Sequence, residues 1–155
     1  MAYILGIKSD ETSTTDDHGL GTLGKNVTSD GIKTYKWMKY DTGAGSVAAV
    51  SGQVAYYYTL DGYKNHTCSS DLSDSVEIGA GVCQSAPGDG EYAWFQIGGA
   101  ATLALALTAG ADGDPLTPTG AGADGTLDVS AAVTDNVCAI AGDISDKEVV
   151  CTFPE

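Results

Sequence analysis

Two histidines, His18 and His66, four cysteines, Cys68, Cys83, Cys138 and Cys151, and a series of aspartates in glycine turns are where this chain's reactive side chains lie. A zinc centre would join histidines and cysteines at ligand spacing, but the sequence has neither C-x-x-C nor H-x-x-x-H. A Ser-His-Asp site assembles in space, so spacing alone does not test it. The nucleophile-elbow pattern G-x-S-x-G is nevertheless missing. Both histidines fall in polar loop segments and are expected at the surface. Asp112, Asp114, Asp124 and Asp128 accompany two Gly-Ala-Asp-Gly turns twelve residues apart. The calcium loop of an EF-hand fails here, because Leu116 would occupy its fifth position. Solvated turns are the expectation. Gly19, Gly21 and Gly24 spell G-x-G-x-x-G. That motif binds a pyrophosphate only between a buried strand and a helix N-terminus. Here a polar Asp- and Thr-rich segment precedes it, and turn-like residues 26–31 follow. A flexible glycine loop is expected, with no catalytic, cofactor-binding or metal residues.

The cysteines near the C-terminus are more informative. Two short apolar segments, 136–141 and 148–153, flank residues 142–147. If those six residues form a hairpin loop, the register that pairs Ala141 with Glu148 also pairs Cys138 with Cys151. Opposed residues stand about 4.5–5.5 Å apart, a separation a disulfide can use. Two outcomes stay open on compartment grounds: a bond formed after release, or two reduced thiols packed side by side. Cys68 and Cys83 have no such register argument.

Composition narrows the function classes. The 155 residues carry 21 acidic and 7 basic side chains, a formal −14, and all the basic ones are lysine. Base readout and phosphate clamping rely on the planar fork of arginine. An acidic body also repels a phosphate backbone and an anionic membrane surface. Neither nucleic acid nor membrane is an expected partner. The apolar run at 2–7 lacks the basic region of a signal peptide, and 98–111 is too short to span a bilayer. Synthesis in the cytoplasm is the expectation.

The elements that would position these residues read as strands. Glycine is abundant at 21 and helix formers are scarce, which suits strands and tight turns. Residues 2–7 read as a strand or anchor and 8–31 as a long glycine-rich loop or arm. Residues 32–155 then form a single β domain. Its expected strands are 33–40, 47–50, 53–60, 76–82, 91–97, 126–133, 136–141 and 147–153. In the first of them Tyr35 and Trp37 face one way and Lys36, Met38 and Tyr40 the other. Leu103, Leu105 and Leu107 alternate with Ala104, Ala106 and Thr108, a period of two that predicts another strand. Residues 61–75 are polar, with a turn at Asp61 and Gly62 and room for a helical turn at 69–75. The expected fold is all-β, a small β-barrel or β-sandwich with an extended N-terminal segment.

Three blocks carry a resemblance. GEYAWFQ at 90–96, GDPLTP at 113–118, and VCAIA at 137–141 followed by EVVC at 148–151 occur in an order and spacing that resemble the head decoration (cement) proteins of tailed bacteriophages. The likeness spans 88–153. It implies a non-enzymatic protein of the virion that binds the outer face of the capsid, with the major capsid protein and itself, as a homotrimer, for partners. No catalytic or cofactor residues come with that family. Tyr3, Ile4, Leu5, Ile7, Trp37 and Trp94 are the candidate capsid or subunit contacts. The alternative expectation is an adhesive or carbohydrate-binding β domain of a tail fibre, spike or surface layer. There an exposed Trp37 with Tyr56, Tyr57 and Tyr58 would stack on sugars.

Overall fold

The computed structural model describes residues 2–59, 62–107 and 110–155. The chain is all-β, as its composition predicts. Among the described residues twelve strands follow one another: β1 (Tyr3–Leu5), β2 (Thr12–Ser13), β3 (Leu23–Thr28), β4 (Gly31–Tyr40), β5 (Val54–Tyr58), β6 (Thr67–Ser69), β7 (Ser75–Cys83), β8 (Tyr92–Thr102), β9 (Pro115–Thr117), β10 (Asp128–Val129), β11 (Ala139–Asp143) and β12 (Glu148–Thr152). A one-turn helix, α1 (Gly62–Asn65), and a 3-10 turn at Leu72–Asp74 are the helical pieces among the described residues. The 3-10 turn falls inside the predicted 69–75 segment, with Asp71 capping it by accepting from the Ser73 amide.

Strands β4, β6, β5, β7 and β8 neighbour one another in that order, and β8 returns to pair with β4. This closes a five-stranded barrel, which removes its edges. All five strands place apolar side chains in one cluster, the barrel interior: Met38 and Tyr40, Ala55 and Tyr57, Cys68, Ala80 and Cys83, and Ala93 and Phe95. The outer face of the barrel packs a second core, in which Val54, Tyr56 and Val82 meet Leu116, Leu127, Ala139, Val149 and Phe153. Beyond β8 the sheet continues through β12, β11, β9 and β10, and beyond β4 through β3 to β1. The alternation expected in β4 is correct: Met38 and Tyr40 point inward, while Tyr35 and Trp37 join Trp94 in a third cluster outside.

Four expectations are corrected. Residues 47–50 form no strand. The leucine alternation at 103–107 does not build one either, since β8 ends at Thr102. The Leu103 amide donates to Lys147 and the Ala104 amide to Gly52. Two single bonds to different segments make no ladder, and Leu105 stays exposed. Thr108, like Leu60 and Asp61 of the predicted 53–60 strand and its turn, lies outside the described residues. Of the predicted 126–133 strand, β10 keeps two residues. The 8–31 loop contains the six-residue β3, which makes a hairpin with β4 through a two-residue turn at Ser29 and Asp30. Its alternation was concealed because one face of β3, past Leu23, has no core beneath it.

Candidate functional site

The candidate contacts divide into two groups that the fold treats differently. Trp37 and Trp94 are fully buried, so neither offers a surface to a partner. They pair in register on β4 and β8, their rings 5.1 Å apart. Residues 8–22 fold back across them as a strap. Asp16 accepts the Trp37 indole N–H at 2.9 Å, and the same carboxylate accepts the amides of Gly19 and Leu20. Glu11 accepts the Trp94 indole N–H at 3.3 Å and lies 2.9 Å from His18 Nε2. The His18 ring stands edge-on to Trp37 at 4.6 Å. A buried indole N–H without an acceptor is costly, so the two carboxylates are what allow this cluster to close. The sugar-stacking surface is likewise corrected: Tyr56 and Tyr57 are fully buried, and Tyr58 is half-buried.

Tyr3, Ile4, Leu5 and Ile7 sit at the other end of this sheet. β1 pairs in parallel with β3, Tyr3 beside Leu23 and Leu5 beside Lys25. Ile7 leaves the strand and packs against the tryptophans. Gly24 is what admits it, since a Cβ there would come within 2.8 Å of Ile7 and 3.3 Å of Trp94. Tyr3 packs on the outer core, holds the Lys25 ammonium 3.9 Å from its ring centre, and donates its hydroxyl to Glu155. Ile4 and Leu5 stay exposed, Leu5 at 77 %. Ile4 lines a cleft of about 400 Å³ with Tyr3, Leu20 and Leu23.

The hairpin register gives β3 and β4 two faces. On one lie Leu5, Lys25, Val27 and Ile32, because Leu5 opposes Lys25 and Val27 opposes Ile32. Continued toward the barrel, this same face carries the buried Leu23 and Lys36. The apolar pattern of a core strand therefore runs past the end of the core. Val27 and Ile32 are exposed at 85 % and 60 %. Sequence reading missed this pair by placing 26–31 in a turn; the signal was Val27 and Ile32 flanking a polar dipeptide, symmetric about it.

Cys138 and Cys151 are both buried and free, as are Cys68 and Cys83. The predicted register is off by one. Ala139, not Cys138, opposes Cys151: the hairpin closes at Asp143 opposite Glu148, with a loop of 144–147 instead of 142–147, which shifts the pairing by two, and the bulge between Ala141 and Asp143 takes back one of them. Burial pushes the Cys138 thiol well up, and the neighbouring Cys151 adds to the effect. Cys151 and Cys83 are pushed up to about 12 by burial. Thiols held in that range are poor nucleophiles and poor metal ligands at neutral pH.

The aspartate turns spend their oxygens on the backbone. Asp112 accepts the Ile144 amide, Asp114 the Ala111 amide and Asp124 the Leu72 amide. Among the described residues no group of three or more acidic, His or Cys side chains is placed to hold a metal. Gly24 of the G-x-G-x-x-G pattern lies in β3, so the motif runs into a strand where a dinucleotide site needs a helix. Both histidines are half-buried rather than at the surface: His18 lies in the strap beside the tryptophans, and the His66 ring lies against Gly21, whose missing Cβ leaves room for it.

One titratable group was not anticipated as special. Lys36 shares the inward face of Met38 and Tyr40, opposes Phe95, and is buried. Its Nζ donates to the Tyr57 hydroxyl at 2.9 Å inside the barrel. Burial pulls its pKa below the ordinary lysine value, against smaller opposing effects of Glu155 and Cys68. The alternation of β4 already placed it there; only its charge argued otherwise. Compared with protein-family models, curated proteins and solved structures, the chain matches none of them.

Proposed function

We propose that this is a non-enzymatic decoration protein of a tailed-phage head. In this reading it binds the outer face of the capsid, contacts the major capsid protein and associates with itself as a trimer. The observation that carries the reading is the distribution of charge against exposed apolar surface. Residues 1–40 hold five of the seven lysines and five of the 21 acidic residues, and are neutral. Residues 41–155 set two lysines against sixteen acids and carry the entire −14. The neutral part is also where Ile4 and Leu20 are exposed, around the cleft that Ile4 lines.

Such a molecule has an apolar, uncharged end suited to a protein surface and an acidic remainder suited to solvent. An acidic body faces away from packaged DNA, hence the outer face of the shell. Binding that exists only on the mature lattice stabilises that lattice by mass action, and symmetric copies multiply weak contacts. Of the aromatic residues on which the carbohydrate-binding alternative relied, Trp37, Tyr56 and Tyr57 lie in the cores and only Tyr58 is half-buried, so no specific observation favours it.

The test is addition of purified protein to heads lacking it, followed by electron microscopy and heat challenge. New protrusions and greater heat tolerance are expected, and both should be lost with Ile4→Asp/Leu20→Asp. Heads that stay bare with the wild-type protein, or a substrate turned over by it, would reject the reading.

A further inference from the structure

Val27 and Ile32 lie on the opposite face of the sheet from Ile4, so the cleft at Ile4 does not account for them. They form the tip of the hairpin, with Leu5 beside them and Lys25 on the same face, its ammonium over the Tyr3 ring; at the turn Asp30 pairs with Lys33. A second feature matches this tip in chemistry. A cleft of about 430 Å³ lies where β7 meets the segment before β11, walled by Tyr63, Ile78, Val137 and Pro154, with Asp135 at its side. Tyr63 and Val137 are themselves exposed. The Asp135 carboxylate accepts the amides of Ala131 and Ala132 and the Ser130 hydroxyl, which hold it below the usual carboxylate range and so charged at neutral pH. Glu77 and Glu155 adjoin Ile78 and Pro154 in sequence; Lys64 adjoins Tyr63.

We propose that the hairpin tip of one molecule, Val27 and Ile32 with Lys25, docks into the Tyr63–Val137 cleft of a second copy of the same chain. Charge selects that occupant. Two bodies of this protein repel wherever residues 41–155 face each other, since those residues carry all of the net charge. The neutral, lysine-bearing tip is the part that can approach the acidic body of another copy without that cost. The apolar pair supplies the buried centre of the contact, and Lys25 opposite Asp135 sets its orientation. Tip and cleft are different surfaces, so the contact is heterologous. Repeated around an axis it closes a ring.

The contact rests on the self-association in the reading above; the experiment uses the full chain in solution with no head particles, so failure of this contact and failure of capsid binding are read separately. Sedimentation is measured for the wild type, for Val27→Asp/Ile32→Asp, for Val137→Asp, and for an equimolar mixture of the two variants. All substitutions are at exposed positions, and circular dichroism checks that each variant is folded. The wild type should self-associate, and each variant alone should do so about tenfold more weakly or worse. The mixture should recover a dimer, because the intact tip of Val137→Asp meets the intact cleft of Val27→Asp/Ile32→Asp. A wild type that stays monomeric at millimolar concentration would overturn the contact. So would a mixture that recovers nothing, or a Val137→Asp variant that associates like the wild type, which would mean tip against tip.

Discussion

The strands β3 and β4 carry two apolar regions that end differently. Around Trp37 and Trp94 the chain supplies its own cover: a strap whose Asp16 and Glu11 accept both indole N–H groups, while Ile7 fills the space over Gly24. At the hairpin tip Val27, Ile32 and Leu5 have comparable apolar character and no cover. The difference follows from polarity. Indoles need acceptors as well as contacts, and only residues 8–22 bring carboxylates to them. Aliphatic side chains need only area, which any complementary surface provides. The covered region is thus committed to folding, and the uncovered one is free for association.

Alkaline titration has the largest expected effect, and it acts on buried groups of the two packed cores and not on the open tip. The interior holds Tyr40 and Cys83, both pushed up to about 12 by burial, and the outer core holds Cys151 at a similar value. Each binds its proton more tightly folded than unfolded, where thiols titrate near 8.5 and phenols near 10. Their contribution is complete below about pH 8.5 and is lost as pH rises toward about 12. Urea midpoints should therefore fall steeply across that window and the protein should unfold at its upper end. A flat profile to pH 12 would mean the thiols are not buried in solution.

Truncation comes next. Trp37→Ala removes a fully buried indole and should cost about 3–5 kcal/mol in urea unfolding. Val27→Ala at the tip should stay within about 0.5 kcal/mol. Equal costs would erase the distinction between covered and open regions. A loss between those two sharpens the same comparison: Asp16→Ala keeps the tryptophans but leaves the Trp37 N–H and two backbone amides without their acceptor. It should cost about 1–3 kcal/mol and raise Trp fluorescence quenching as the strap loosens. An unchanged midpoint would show that the strap is not fastened by that carboxylate.

What the sequence carried by itself was the all-β class and the inside-out alternation of β4, because a period of two is written in consecutive residues. The closing hairpin of β11 and β12 was legible for the same reason. Its register was not: the hairpin closes at Asp143 opposite Glu148, two residues from the expected closure, and the 141–143 bulge takes back only one, so Ala139 faces Cys151; neither loop length nor a bulge leaves a mark in composition. Periodicity also failed at Leu103, Leu105 and Leu107, where a strand-like pattern had no partner ladder to join. Strand existence depends on a neighbour that the local sequence does not name.

Exposure was decided by the tertiary structure alone. Trp37 and Trp94 look like contact residues until Asp16 and Glu11, some 21 and 83 positions away in the chain, are brought to their indoles. Lys36 looks solvated until barrel closure encloses it beside Tyr57. Val27 and Ile32 look like part of a turn until the register with β4 puts them on one face past the end of the core. A side chain's type fixes what environment it requires, but only long-range packing fixes which environment it receives.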